Sequence, residues 1–367
     1  FLLALAEGGF QVGELAKCYF RGRYGIKSLD YDSALAQTTE LLARDNVTIY
    51  EGAVRFDNLF IRADILEKKD DSLFLYEVKA KSFDPSEENP FLGRRGIKSK
   101  WKPYLYDVAF QKHVLQKAYP AYHIHAHLVM ADKTSTCPTD GLNQKFRVVR
   151  DENGRKAVIV SDTLTETDLV PKILCNINVD SVCETIFAGS ERVGNRRLSF
   201  PEMVEFLAEK YRADEKITSS VTTACTSCEF RTSAEDRENG LKSGRRECWK
   251  AVLGWDDSDF GKPTVFDVWN FRKKSQLLEE QRIMMTDIRR GDISPRTDGK
   301  PGLSASERQW VQVQKTKTCD DSVWLDKAGL EREIRSWKFP LHFIDFETTM
   351  AAIPFNAGRR PYEGVAF

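Results

Sequence analysis

The stretch "SLFLYEVKAKS" (residues 72–82) begins as a covered β-strand and then breaks its own pattern. Leu73, Phe74 and Leu75 suit a pleated, buried position, yet Glu77 and Lys79 follow at once. Side chains at i and i+2 of a strand share a face, so the two charges point the same way while Val78 turns to the other side. Burying such a pair costs several kcal/mol per ion, in order of magnitude, unless partners replace the lost hydration. Those partners must be supplied by neighbouring elements.

The flanking sequence supplies candidates. Two further strand patterns precede it, "VTIYEGAVRF" (47–56) and "LFIRADILEK" (59–68), joined by the turn residues "DN" (57–58) and followed by "KDDS" (69–72). This is a meander, preceded by a helical pattern over 31–45 with Ala34, Leu35, Leu41 and Leu42 near one face. After it, "KPYLYDVAFQKHVLQKAYP" (102–120) reads as a helix stopped by Pro120, and "YHIHAHLVMADK" (122–133) as a strand. The order helix, three strands, helix, strand predicts a mixed α/β core. Residues 146–161 read as a hairpin around "ENG", and 164–212 as mainly helical.

Asp64 lies in the second meander strand, with 12 residues between it and Glu77 in the third. Adjacent antiparallel strands can set the two carboxylates side by side, where each raises the other's pKa unless a cation intervenes. A divalent ion such as Mg2+ resolves that conflict, because it takes one or two carboxylates, waters and substrate phosphate as ligands. Lys79 is then placed to orient the attacking water and to stabilise charge building on phosphate.

These residues resemble the PD-(D/E)XK nucleases, and "ADIL…YEVKAKS" looks most like their RecB-type branch. The resemblance implies an α/β, mixed-sheet restriction-endonuclease-like core with a helical insertion and a cysteine-cluster subdomain. It implies a Mg2+ or Mn2+ site at Asp64, Glu77 and Val78, and Lys79 as the catalytic lysine. The branch follows its Glu-x-Lys with a helical Gln that contacts DNA; here "DVAFQKHVL" places Asp107 and Gln111, with Leu115 where many relatives carry Tyr. It also has an upstream metal-ligating His in a phrase like Gly-x-x-Val-His. "GGFQVGEL" (8–15) has Gly13 at that place, and Glu51 is the candidate to fill the vacancy.

Cys225, Cys228 and Cys248 form a Cys-x-x-Cys with a third cysteine 20 positions later, a spacing compatible with zinc or an iron-sulfur cluster. Cluster-bearing RecB-type nucleases take three cysteines after the core and one before it, which implies a structural 4Fe-4S cluster, Zn2+ being the alternative. Cys18 is a candidate leading ligand, although the resemblance places that cysteine ahead of the "GGFQVGEL" phrase. Cys137, Cys175, Cys183 and Cys319 read as ordinary thiols, and His123, His125 and His127 as an exposed strand face.

Near the end, "FPLHFIDFETTMAAIPF" (339–355) repeats the earlier surprise, an apolar strand interrupted by Asp345 and Glu347. This resembles the first motif of DnaQ-like (DEDD) 3′-5′ exonucleases. Together the motifs resemble a bacterial family of uncharacterised proteins that fuse the two nuclease types. The expected layout is a nuclease core over 1–135, a hairpin, helical and cysteine-cluster region over 136–255, a helical linker over 256–338 and the truncated start of the exonuclease domain over 339–367.

Composition narrows the function classes. Lys plus Arg and Asp plus Glu are both 55, so any polyanion site must come from local clustering rather than net charge. "GRRGIKSKWK" (93–102) provides it, with Arg94, Arg95, Lys98, Lys100 and Lys102 and no acid. Hydrophobic residues make up 41% of the 367, ample for a core, and no run of about 18 apolar residues suggests a membrane span. The chain starts at Phe1 without a signal segment and reads as a fragment of a cytoplasmic protein whose thiols stay reduced. The sequence therefore predicts a metal-dependent nuclease, and the resemblance implies a DNA exonuclease. Its rival is a catalytically weak nucleic-acid-binding module, stabilised by zinc, that serves a downstream exonuclease domain.

Overall fold

A computed structural model describes residues 2–20, 22, 24–94, 96–150, 154, 156–194 and 196–366. The chain divides into two compact units, one of residues 1–191, 198–213 and 345–367 and the other of 192–197 and 214–344. Residues 136–191 and the terminal segment thus fold with the first unit rather than with the cysteine region.

The first unit is α/β, as its element order predicts. Residues 1–213 run α1 (Leu2–Phe20), β1 (Tyr24–Gly25), α2 (Tyr31–Leu42), β2 (Asn46–Phe56), β3 (Leu59–Lys69), β4 (Ser72–Phe83), β5 (Leu92–Gly93), β6 (Gly96–Ile97), α3 (Lys102–Ala118), β7 (His123–Asp132), β8 (Phe146–Arg150), β9 (Lys156–Val160), β10 (Leu174–Asn178), α4 (Asp180–Ala188), β11 (Ser190–Val193), β12 (Arg196–Ser199) and α5 (Phe200–Arg212), with residues 192–197 of β11 and β12 belonging to the second unit. A six-stranded mixed sheet has the order β1-β2-β3-β4-β7-β10. The meander β2-β3-β4 is antiparallel, and β4 pairs in parallel with β7, reached through the crossover helix α3. Asp57 and Asp70 take φ of 52° and 50°, the left-handed turn conformation that short polar residues tolerate.

Helix caps and apolar spacing set the helices against the sheet. Asp30 caps α2 by accepting from the Ser33 N–H at 2.8 Å, and Ala34, Thr38 and Leu42 are its buried stripe. Pro103 opens α3, whose buried face carries Leu105, Val108, Ala109, Val114 and Leu115, but also Gln111 and Lys112. Lys112 is matched by Asp180 at 2.9 Å and Glu184 at 3.2 Å. One core lies on the face covered by α2, α3 and α4, including Ile49, Leu66, Leu75 and Leu128, while the second gathers Val12, Leu15, Ile65, Tyr76 and Phe146.

Two expectations change. Residues 164–212 hold the helices α4 and α5 but are interrupted by strands: β10 lies among them and extends the sheet by pairing antiparallel with β7. In its sequence, LCNIN, Cys175 and Ile177 are half-buried against one core while Asn176 and Asn178 are exposed, the period of a strand, and Leu174 is buried in the other core. The apolar segment around Phe343 and Ile344 is not a strand; both side chains and Phe346 are exposed, and the first regular structure after them is the two-residue strand β13 (Thr348–Thr349), paired with β14 (Val365–Ala366).

The second unit contains short helices, α6 (Ala234–Glu238), α7 (Gly244–Leu253), α8 (Lys274–Glu279), α9 (Arg290–Ile293), α10 (Ala305–Lys317) and α11 (Lys327–Ser336). Val265, Val268, Phe271, Leu277, Ile288 and Val313 form its core. Between Asp214 and Leu253 only Ser243 and Trp249 are buried. Among the described residues no helix is long and apolar enough to cross a membrane.

Thr38 ties α2 to the sheet: its hydroxyl donates to the Ala34 carbonyl and accepts from the Ala53 N–H, both at 2.9 Å. Thr38→Val keeps the volume and leaves that amide buried without a partner. We expect a loss of about 1–3 kcal/mol in urea denaturation, with the m-value unchanged.

Candidate active site at a fork between two strands

The ladder between β3 and β4 runs from Lys69 opposite Ser72 to Ile65 opposite Tyr76 and stops. Beyond it the strands part, β3 staying with β2 and β4 with β7. Continuing the register, the first pair past the last rung is Asp64 opposite Glu77. The Asp64 Oδ2 accepts from the Val78 N–H at 2.7 Å, so a carboxylate replaces the missing strand as partner of that amide.

Glu77 is 5% exposed and reaches the α3 side of the fork. Its Oε1 meets the Lys79 ammonium at 2.6 Å, and its Oε2 accepts from Gln111 Nε2 at 2.7 Å. Lys79 also donates to Asp107 Oδ2 at 2.8 Å, and Gln111 donates to Asp107 Oδ1 at 3.1 Å. Asp107 and Gln111 stand one turn apart on α3, the spacing that aligns side chains along a helix face. The buried Gln111 Oε1 has no hydrogen-bond partner among the described residues.

Three carboxylates against one ammonium leave an excess of two negative charges at a largely buried place. Burial raises the pKa of Asp64, and burial together with the Asp64 charge raises that of Glu77. Contact with Glu77 and Asp107 outweighs burial at Lys79 and holds it firmly protonated. Lys79 is therefore held as a positive charge between Glu77 and Asp107.

Glu51 enters the same place. It has φ of 58°, left-handed for a residue with a side chain, and the β2-β3 ladder skips it between Tyr50 opposite Ile65 and Gly52 opposite Ala63. Such a conformation costs of order 1–3 kcal/mol and is held by its surroundings. Its carboxylate lies 3.8 Å from both Lys17 Nζ and Arg62 Nε, and its charge is among those that raise Asp64. A cleft of about 470 Å³ is lined by Glu51, Asp64 and Lys79 with Gly13, Glu14 and Lys17 of α1. A Cβ at Gly13 would meet nothing within 4 Å, so the position that resembles a histidine site has room for a side chain.

Asp64 and Glu77, acids in register with raised pKa, are the groups that could hold a hydrated divalent cation. Among the described residues no three His, Cys, Asp or Glu side chains converge as a ready-made cage. Mg2+ characteristically completes such a set with waters and phosphate.

The remaining candidates are scattered. Arg94 is exposed; Lys98 pairs with Glu87 at 2.6 Å and Lys102 with Glu191 at 2.8 Å, acids that the basic stretch itself lacks; Lys100 lies over the Trp101 ring; Arg95 falls outside the described residues. Cys18, on α1, has its thiol pushed up by burial and by Glu14. Cys225 lies in a 3-10 turn, Cys228 just after it and Cys248 on α7; among the described residues the three do not converge as a ready-made metal site. Asp345 and Glu347 are exposed. His125 is not a bare strand face: its Nδ1 meets Asp180 Oδ2 at 3.1 Å. No family model matches the chain, and comparison with curated proteins and with solved structures gives no significant match.

Because Asp64 and Glu77 bind protons more tightly folded than unfolded, their contribution to stability falls as pH rises through the interval between the two pKa values. Asp64→Asn removes the charge and keeps an acceptor for Val78. We expect its melting temperature to exceed wild type by about 2–4 °C at pH 8, with the gain shrinking towards pH 5.

Proposed function

We propose that the chain is a metal-dependent nuclease that hydrolyses phosphodiester bonds of DNA, built on a restriction-endonuclease-like core. The observation that carries this reading is the fork: Asp64 and Glu77 in register where the sheet opens, the Lys79 ammonium on Glu77, and a cleft lined by Asp64 and Lys79. Asp64 and Glu77 would hold Mg2+ or Mn2+, with Glu51 lining the same cleft. The bound ion would polarise the phosphoryl oxygen and lower the pKa of water for in-line attack.

Lys79, fixed by Glu77 and Asp107, stabilises charge building on the phosphoryl oxygens and orients the water. Gln111 keeps the Glu77 carboxylate in place. Arg94 and Lys100, in the segment ahead of α3, would supply phosphate contacts.

The second reading, a nucleic-acid-binding module without catalysis, is favoured by Gly13 at the position that resembles a metal-ligating histidine. Labelled single- and double-stranded oligonucleotides with Mn2+ separate the two. Cleavage that Asp64→Ala and Lys79→Ala each lower by about 100-fold or more supports the nuclease. Binding without cleavage by the wild type supports the module. Mn2+ alone is expected to raise the melting temperature of the wild type and not of Asp64→Ala.

For the cysteines we propose a structural 4Fe-4S cluster, with Zn2+ as the alternative. The reading rests on their spacing and on the near absence of buried residues between Asp214 and Leu253, a segment that a metal cross-link would organise. Anaerobically purified protein is expected to contain iron and absorb near ~400 nm, and Cys225→Ser or Cys248→Ser to lose both. Zinc without that absorbance rules out the cluster.

A further inference from the structure

Directly after Lys79 the parallel pairing of β4 with β7 is interrupted: Lys79 is opposite Met130, but the next pair is Ser82 opposite Ala131. Ala80 and Lys81 are extra residues, a bulge that frees main-chain groups from the ladder. Lys81 extends over the rings of Tyr104 at 5.3 Å and Trp101 at 5.9 Å. The Ala80 carbonyl accepts from the Tyr362 hydroxyl at 2.5 Å, across 282 positions of sequence.

Tyr362 is held for this contact. Its backbone has φ of 60°, a strained conformation for a tyrosine, and its N–H donates to the Ala351 carbonyl at 2.8 Å. Ala352 and Ile353, beside that carbonyl, are buried in the core that Ala80 and Val78 also pack against. Asn143 Nδ2 donates to the Ile353 carbonyl at 2.9 Å, and Cys137 exchanges backbone bonds with Arg359 and Gly358. The segment is thus anchored at several points, and its one tyrosine hydroxyl reaches the strand that carries Glu77 and Lys79. Burial pushes that hydroxyl's pKa up to about 12, so it remains a donor throughout the neutral range.

We propose that Tyr362 is a positioning residue: its hydroxyl fixes the bulge at Ala80 and thereby the placement of Lys79 in the cleft. The kinetic part of this inference rests on the nuclease reading; the structural part does not.

The test is Tyr362→Phe in the full chain, which removes one oxygen and keeps the ring in the core. Hydrogen exchange is followed by mass spectrometry without substrate or metal, alongside oligonucleotide cleavage with Mn2+. Expected are faster exchange confined to peptides covering residues 78–84, a kcat lower by about 10- to 100-fold, and an unchanged KM. Unchanged local exchange overturns the proposal whatever the kinetics, as does faster exchange throughout the first unit. Local exchange with wild-type kcat overturns the link to Lys79. If the wild type does not cleave, the nuclease reading fails, and local exchange alone decides whether Tyr362 fixes the bulge.

Discussion

Negative charge in excess, kept at a place with little water, is the constraint around which the first unit is arranged. Where β3 and β4 part, Asp64 must satisfy an amide that has lost its strand and Glu77 must lie beside it. Two acids so placed repel and are poorly solvated, and elements distant in sequence supply what compensates. Helix α3 contributes Gln111, a donor to Glu77, and Asp107, which anchors Lys79, and β4 sets that Lys79 against Glu77. These contacts hold the acids in place without cancelling their charge.

Strain gathers at the same location. Glu51 and Tyr362 are both left-handed, both carry side chains that earn no intrinsic benefit from that conformation, and both touch the cleft or the strand that lines it. A protein tolerates such positions where surrounding contacts over-determine them, which is how a site can be rigid while locally unfavourable. The region of Cys225, Cys228 and Cys248 shows the opposite balance, little strain at the cysteines and few buried contacts.

Much of the core was readable because its chemistry breaks its own pattern. The meander declared itself by apolar alternation and by aspartates at the turns; Glu77 and Lys79 stood out as charges inside a strand, and their mutual contact follows from the two-residue period. Other features left no local trace. LCNIN is too short for its alternation to outweigh the helical text around it, and it becomes a strand only because β7 offers an edge. The basic stretch looked uncompensated because Glu87 and Glu191 lie outside it. Phe343 and Ile344 have the composition of a strand, and composition cannot supply the neighbouring strand on which hydrogen bonding depends. Asp180, partner to Lys112 and His125, follows both by more than 50 residues, a separation that no window of periodicity spans.

The bond between Tyr362 and Ala80 also orders events during synthesis. A ribosome adding about 5–20 residues per second reaches Tyr362 some 15–55 s after Ala80, across the 282 positions between them. Through that interval the nascent chain can assemble its meander and bring its acids together while the bulge beyond Lys79 still lacks its fastening. The arrival of Tyr362 then finishes the lysine's setting, so the growing polypeptide carries an incomplete site until its own elongation supplies the missing hydroxyl.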